Sequence, residues 1–574
     1  MNDALRYLLW HSALNRLRGQ VARLKRPRYL LAVLAGALYF GALLFNSQMP
    51  SPLAGSTSSA LGQLTYTAIV FFTIASGWVL GSDRPALVFS EAEVQLLFPA
   101  PLTRAALVRY KVAQAQMVVL FSVLVWVVLL RRGGTALPFW MRAISLWIIL
   151  STMYLHRVGA SLVRTSTVTH GARGMRRNFI PVAIVVTTIA LVGWSVARAI
   201  PALHAGIRAG EGGAAFAHLA SSQPLATIFF PFHLLVAPLF ADSWRHWLFA
   251  ILPAIALLSA HYPWVTRTDA AFEEAVADAA TKRAIAAARQ TRRPHPVLEG
   301  GAVSRPWFAL APTGHPAMAI AWKNVLAYTR ALRLRTFVIV VSALAIFAGV
   351  AYSEVGSVSE LASVGETLCA IPLVMLIVLG PGFVRTDLRQ DLLQLDQLRS
   401  YPLRGSTIVG VEIASTAAIL TAMQYLLLAL LTFLASYDTR PPVPLAPAVL
   451  IALVALPTLN AISLTVANGS ALLFPGWVRL GDGRAAGIEA MGQNVLAILA
   501  SLIITVVVLL LPVTAATLVA SGVSTAMSRP LDIRDFVASA PVGAVVAFGE
   551  LWLVIMWLGR VFGRTDLAQI EPPG

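Results

Sequence analysis

A chain of 574 residues with 57% hydrophobic and only 12% charged side chains has too little charge to cover a soluble protein of that length, which excludes the soluble classes. Its net charge of +18, from 44 Lys and Arg against 26 Asp and Glu, would suit a nucleic-acid binder, but the bases gather in alternate stretches between apolar runs. That is the signature of membrane topology, so nucleic acid is not expected as a partner, and the single cysteine, Cys369, excludes a disulfide framework or a cysteine zinc site.

The apolar runs are long enough to cross roughly 30 Å of hydrocarbon as helices and too continuous for alternating barrel strands. In chain order they occupy 28–46, 61–81, 111–130, 141–160, 179–200, 244–264, 336–352, 365–382, 407–435, 446–467, 492–517 and 542–560. The expected fold is an all-α polytopic membrane protein with about 12 transmembrane helices in two parallel-repeat six-helix halves, 1–268 and 317–574, joined by a cytosolic helix and linker at 269–316. An even count puts both termini on one side. The run Arg16, Arg18, Arg23, Lys25, Arg26 and Arg28 assigns that side to the cytoplasm of a bacterial inner membrane, and the first apolar run, lacking a small-residue cleavage site, is expected to be retained. Loops 47–60 and 353–364 hold no Lys or Arg, whereas 82–111, 157–177, 265–335 and 383–404 are basic. Arg131, Arg132 and Arg142 flank a segment on the outer side by this count, so either they snorkel or the third and fourth spans are displaced.

Ahead of the first run, residues 4–27 set leucines and Trp10 at helical spacing against Arg and Lys, predicting an interfacial helix. A comparable stretch at 317–337, with Trp322 and Tyr328 beside Lys323, Arg330, Arg333 and Arg335, precedes the seventh run. After the second run comes 82-SDRPALVFSEAEVQLLFPAPLTRAALVRYK-111, and after the eighth 384-VRTDLRQDLLQLDQLRSYPLRGSTIVGVE-412, so a charged segment recurs at the same place in each half.

In the first copy Ser90 is placed to cap a short helix with Glu91 and Glu93 in its first turn and Leu96, Leu97 and Phe98 on its apolar side. The prolines of 99-PAP-101 end it before Arg104, Arg109 and Lys111. In the second copy Asp387, Asp391 and Asp396 stand among Leu388, Leu392, Leu393, Leu395 and Leu398, ahead of Pro402 and Arg404. Acids beside an apolar ridge suit a helix seated in a groove of a cytosolic partner, with the acids facing solvent until that partner docks. Aligning Pro101 with Pro402 pairs Leu97 with Leu398 and Val108 with Val409, but sets Lys111 against Glu412 and Glu93 against Gln394.

Between the halves, 270–290 reads as an alanine-rich surface helix and 291–316 as a Pro- and Gly-rich linker. The apolar stretch 222–243, cut by Pro224, Pro231 and Pro238, suits a re-entrant or interfacial hairpin better than a straight span. Charges at membrane depth are few. Glu550, His156 and Glu366 are candidate pathway residues, because buried ionisable groups in a membrane mark passages or ion pairs. The four lysines, Lys25, Lys111, Lys282 and Lys323, stand in no phosphate-binding loop, and no zinc-protease pair or nucleophile elbow occurs, so no catalytic residue, cofactor or metal is expected in this chain.

The segment 90-SEAEVQLLFPAPLTRAALVRYK-111, with its acid pair, Leu-Phe-Pro, Pro-Leu-x-Arg and closing Tyr-Lys, resembles the Putative ABC exporter family of bacterial membrane proteins, and 468-NGSALLFPGWVRL-480 with 492-GQNVLAILA-500 is similar to it too. More broadly the layout resembles a type-2 ABC permease with two halves fused. The resemblance implies export powered by two copies of a separate cytosolic ATPase, which holds the ATP and Mg and engages Glu91, Glu93, Leu97, Phe98 and Arg104 in one copy and Asp391, Asp396, Leu398 and Arg404 in the other. The expected cargo is an amphipathic peptide or lipid-like molecule, with membrane lipids as the other partner. An ion-gradient-driven secondary transporter and a membrane-embedded lipid-modifying enzyme are the competing readings.

Overall fold

The computed structural model describes residues 3–25, 60–79, 91–130, 137–168, 171–208, 211–266, 313–331, 358–437, 444–475 and 491–565, with a few isolated positions besides, and every regular element among them is helical. The chain divides into two units, one of Met1–Gly301 with Ala486–Asn494 and one of Ala302–Ala485 with Val495–Gly574.

The first unit holds α1 (Asp3–Leu24), α2 (Ala60–Val79), α3 (Glu91–Leu97), α4 (Arg104–Leu129), α5 (Phe139–Val168), α6 (Gly171–Arg208), α7 (Gly212–Ser221), α8 (Leu225–Val236) and α9 (Trp244–Thr266). Leu5 and Leu9, one helical turn apart on α1, are buried with Leu97, Leu107 and Tyr110, while Tyr7 and Trp10 on the other side stay exposed. The lead-in helix is thereby fastened to α3 and α4 by its leucines. Thr103 starts α4 by accepting the Ala106 N–H at 3.3 Å, satisfying a donor that a helix N-terminus leaves open. Deeper in the bundle several buried polar groups are paired within the protein. The Gln116 side-chain oxygen accepts from Trp147 Nε1 and Ser151 Oγ, both at 3.0 Å, and Trp247 Nε1 donates to Ser145 Oγ at 3.0 Å. Arg142 donates to the Leu130 carbonyl at 3.2 Å, so its charge sits at the negative end of α4; Arg131 and Arg132 lie outside the described residues. Gly213–Ser221 and Leu225–Phe240 form an apolar pair bent by 101°, the geometry of a broken span or a re-entrant loop.

The second unit holds α10 (Ala317–Ala331), α11 (Val358–Phe383), α12 (Leu388–Asp391), α13 (Leu395–Arg399), α14 (Gly405–Ala435), α15 (Leu445–Leu473), α17 (Ile533–Arg564) and most of α16 (Met491–Ala526). Between α14 and α15 a buried amide pair closes on itself: Asn460 Nδ2 donates to Gln424 Oε1 at 2.7 Å and to Thr421 Oγ1 at 2.9 Å, and Gln424 Nε2 donates back to Asn460 at 3.3 Å. Pro457 has no N–H to give the Leu453 carbonyl four residues earlier; the Tyr425 hydroxyl from α14 donates to that carbonyl instead, at 2.5 Å. α17 opens with a reciprocal capping box between Asp532 and Asp535, and Arg529 pairs with Asp535 at 2.6 Å.

Eight helices among the described residues are long and apolar enough to cross a membrane: Ala105–Leu129, Phe139–Val163, Trp244–Thr266, Cys369–Asp391, Gly405–Ala435, Leu445–Leu473, Leu496–Ala526 and Ile533–Arg564. Counting the bent pair as one span raises this to nine. The expected fold of about 12 spans in two six-helix halves is corrected by this count; the all-α polytopic character stands. The expected spans at 61–81 and 179–200 fall on α2 and α6, whose apolar stretches among the described residues, Gly62–Ala75 and Ala183–Val196, are not in that count. The expected spans at 28–46 and 336–352, the surface helix at 270–290 and the linker at 291–316 lie wholly or largely outside the described residues.

Candidate coupling and pathway residues

In the first unit the short helix α3 is held from inside. Lys111 Nζ lies 2.6 Å from Glu93 Oε2 and 3.0 Å from Gln114 Oε1, and Tyr110 Oη and Gln114 Nε2 also reach the Glu93 carboxylate, at 3.3 and 3.4 Å. The Glu93 side chain is only 14% exposed, so the expectation that it faces solvent is corrected: its charge is spent on α4. Leu97 is buried as well, and the expectation that it forms a ridge for a partner fails for the same reason. Phe98 packs partly buried beside it. Among the described side chains of α3, Leu96 is the apolar one that points outward. Ser90 and the side chains of Glu91 and Arg104 lie outside the described residues.

The second unit reaches the same end with different residues. Asp387, fully buried, caps α12 and receives Arg389 Nε at 2.8 Å, Arg389 NH2 at 2.6 Å and Asn468 Nδ2 of α15 at 2.9 Å. Lys323, from α10, is ion-paired to Asp391 and lies 3.1 Å from Glu412 on α14. Asn324 completes the Glu412 site, donating to its other oxygen at 2.7 Å and to Ser415 Oγ at 2.8 Å. Leu388, Leu392, Leu395 and Leu398 are all buried in one core with Ile320, Val409 and Phe562, so Asp391 and Leu398 are anchoring groups and not free partner contacts. Asp396 and Arg404, with Gln397 and Tyr401, remain exposed.

The aligned positions therefore agree in environment where their chemistry diverges. Leu97 and Leu398 are both buried, and Val108 and Val409 also. Lys111 and Glu412 carry opposite charges, yet each is the span residue that binds the preceding short helix, directly in the first unit and through Lys323 in the second. Two of the chain's four lysines occupy these sites. That scarcity was the signal available in the sequence, since an ammonium on a flexible stem supplies a compact charge where a guanidinium fork needs more room.

The end of the second segment is tied to the last helix. Arg399 donates to the carbonyls of Phe562, Gly563 and Thr565 at 2.8, 3.2 and 2.5 Å, capping the C-terminus of α17 with a cation. Arg399→Ala is expected to cost about 1–2 kcal/mol and to raise hydrogen exchange selectively over residues 558–565; protection equal to that of the unmutated chain would refute the cap.

The three candidate pathway residues are not assembled into one site: His156 belongs to the first unit, and Glu366 and Glu550 stand on different helices of the second. His156 Nε2 accepts from Trp78 Nε1 at 3.0 Å, and its Nδ1 lies 3.1 Å from His261 Nε2. His261 Nδ1 lies 2.7 Å from the Leu257 carbonyl, which can only accept. The partners assign the protons to His261 Nδ1 and His156 Nδ1, and every ring nitrogen is then engaged with both rings neutral. Such a pair staples α2, α5 and α9 and leaves no lone pair for a nucleophile or a metal. Glu366 is half-buried on α11. Glu550 has one carboxylate oxygen, Oε2, buried without a hydrogen-bond partner among the described residues. No group of three or more His, Cys, Asp or Glu placed to hold a metal occurs among the described residues.

An all-helical bundle with several apolar spans has the make-up of a polytopic membrane protein. Residues 2–209, which run from α1 into the end of α6, match the family described as Putative ABC exporter. No curated protein and no solved structure matches the chain.

Proposed function

We propose that this chain is the permease subunit of an ATP-driven exporter, with two copies of a separate cytosolic ATPase acting on the segments at 82–111 and 384–412. The carrying observation is the two-sided construction of the second segment. Its inner side is fastened to α10, α14, α15 and α17 by buried leucines, Lys323, Asp387 and Arg399, while Asp396, Gln397, Tyr401 and Arg404 face outward. A partner pressing on the outer side moves the spans with it, because a close-packed inner side transmits displacement instead of absorbing it. The family match over 2–209 supports the same role for the first segment.

On this reading ATP and Mg bind the partner, and this chain contributes the passage, with 1–268 and 317–574 as the permease halves and 269–316 as their connection. It sits in a bacterial inner membrane with the basic N-terminal run and the C-terminal Arg560 and Arg564 in the cytoplasm. The cargo is an amphipathic peptide or lipid-like molecule. That choice is supported by the satisfaction of the membrane-depth polar pairs Gln424–Asn460 and His156–His261 within the protein, and by the exposed Phe230 on α8. Glu550, with its unpartnered oxygen, is the charged group assigned to the passage.

Asp396→Lys combined with Arg404→Glu tests the coupling role. Exposed charge pairs contribute about 1 kcal/mol or less each, so the double reversal is needed. The expected result is loss of ATPase co-purification from native membranes and of transport-coupled ATP hydrolysis, with thermal stability unchanged. Undiminished co-purification and hydrolysis would mean these residues are ordinary surface charge.

A further inference from the structure

α1 lies across one end of the first unit's bundle. Its buried leucines, Leu5 and Leu9, share a core with Leu107 and Tyr110 in the first two turns of α4, Val158 and Leu162 in the last two turns of the Phe139–Val163 span, and Val265 in the last turn of α9. Three candidate membrane spans thus meet α1 where they begin or end, which is the level of the headgroups. The opposite side of α1 is uncovered. Tyr7, Arg18 and Lys25, eleven and seven residues apart, fall on one line down the helix, and Trp10 and Val21, eleven apart, on the line beside it. Tyr7, Trp10 and Val21 are 65%, 63% and 60% exposed, and Arg18 and Lys25 are exposed with them. The Lys25 N–H bonds the Ala22 carbonyl at 3.3 Å, so the line continues one residue past the helix end. His11 stacks on Tyr7 with ring centroids 3.7 Å apart, which holds that ring in place on the surface.

Neither bulk phase suits such a face. Water would meet three large apolar side chains, and hydrocarbon would strand two cations. The headgroup layer accepts both, with aromatic rings among the headgroups and ammonium and guanidinium groups on phosphate. Charge then selects the lipid. Asp3 is the sole acid of α1 and lies 3.6 Å from Arg6, so no acid of this helix is left to answer Arg18 or Lys25. A zwitterionic headgroup brings its own cation to compete for the phosphate, whereas an anionic one leaves the phosphate free. Each base near an anionic membrane surface contributes about a five-fold gain in binding.

We propose that the outer face of α1 binds anionic phospholipid headgroups, with Arg18 and Lys25 on their phosphates, and that this contact steadies the first charged segment. The link runs through the core: Leu97 of α3 is buried with Leu5 and Leu9, so an α1 held against the lipid keeps α3 in its seat. The site needs a membrane and no ATPase, so it stands or falls apart from the export reading.

The test is hydrogen exchange of the full chain in nanodiscs of phosphatidylcholine alone and of phosphatidylcholine mixed with phosphatidylglycerol. Phosphatidylglycerol is expected to slow exchange several-fold over residues 3–25 and, through the shared core, over 91–97. Salt at about 1 M, where the Debye length falls to about 3 Å, is expected to erase the difference. Arg18→Glu with Lys25→Glu is expected to remove the phosphatidylglycerol effect and leave exchange in phosphatidylcholine as it was, whereas Arg18→Lys with Lys25→Arg keeps it. Equal exchange of the unmutated chain in the two lipids would overturn the proposal, and that result requires no variant to fold. An effect that survives the double reversal would overturn it too, since it would place the lipid on another face. So would a face that ignores phosphatidylglycerol in nanodiscs yet is protected in native membranes, because its cover would then be a protein.

Discussion

Lys323→Met is expected to destabilise the second unit by about 3 kcal/mol, the lower end of the cost of breaking a buried ion pair. The lower end applies because Lys323 is 42% exposed, whereas its partner Glu412 is fully buried. Without the ammonium, Glu412 and Asp391 face each other as two carboxylates with only Asn324 to answer one of them. Cys369, buried on α11 and alone of its kind in the chain, is a built-in reporter of unfolding in this unit. In a thiol-reactive dye assay in detergent the melting point is expected to fall by roughly 6–12 °C, and Lys323→Met with Glu412→Gln to recover most of it, because the neutral amide no longer needs a cation. A single variant that melts like the unmutated protein would show that the triad is surface electrostatics.

Gly559→Val is expected to cost about 3 kcal/mol by overpacking and to abolish coupling even where the protein still inserts. A side-chain carbon at Gly559 would meet the backbone nitrogen of Ser406 at 2.4 Å and its Cα at 2.5 Å, and one at Gly405 would meet the Gly559 carbonyl at 2.6 Å. Neither contact can be relieved by rotating a side chain. The start of α14 and the end of α17 would have to separate, breaking the seat of Arg399 on the carbonyls of Phe562, Gly563 and Thr565. Gly549→Ala on the same helix is the control, since nothing lies within 4 Å of the added carbon and a helix interior gains up to about 1 kcal/mol from the change. Equal melting points and equal stimulated ATPase rates for the two variants would refute the close-approach argument.

The aligned charged segments show what kind of information a linear sequence carries. The Leu97/Leu398 and Val108/Val409 pairs were visible by spacing, and each pair is buried alike. The Lys111/Glu412 mismatch looked like divergence of a contact surface. It is a reversal of polarity within an interior lock, and the cation that makes sense of Glu412 comes from Lys323, 89 positions away in sequence. No local pattern links those two residues, because ion pairing depends on where α10 is laid against α14.

The same limit explains the span count. Apolar composition, the Pro breaks at 99-PAP-101 and within 222–240, and the basic loops are short-range properties, so the sequence alone determined an all-helical membrane chain with a charged segment after selected spans. A window of hydropathy cannot see that Leu225–Phe240 bends by 101° against the helix before it. Whether Glu93 and Leu97 face a partner or their own α4, and whether the His156 ring has a lone pair to offer, were decided only by tertiary packing. Each is a question of which atoms a side chain meets, and in a bundle those atoms come from helices tens of residues apart, brought together because a buried polar group away from water is stabilised by a partner inside the protein.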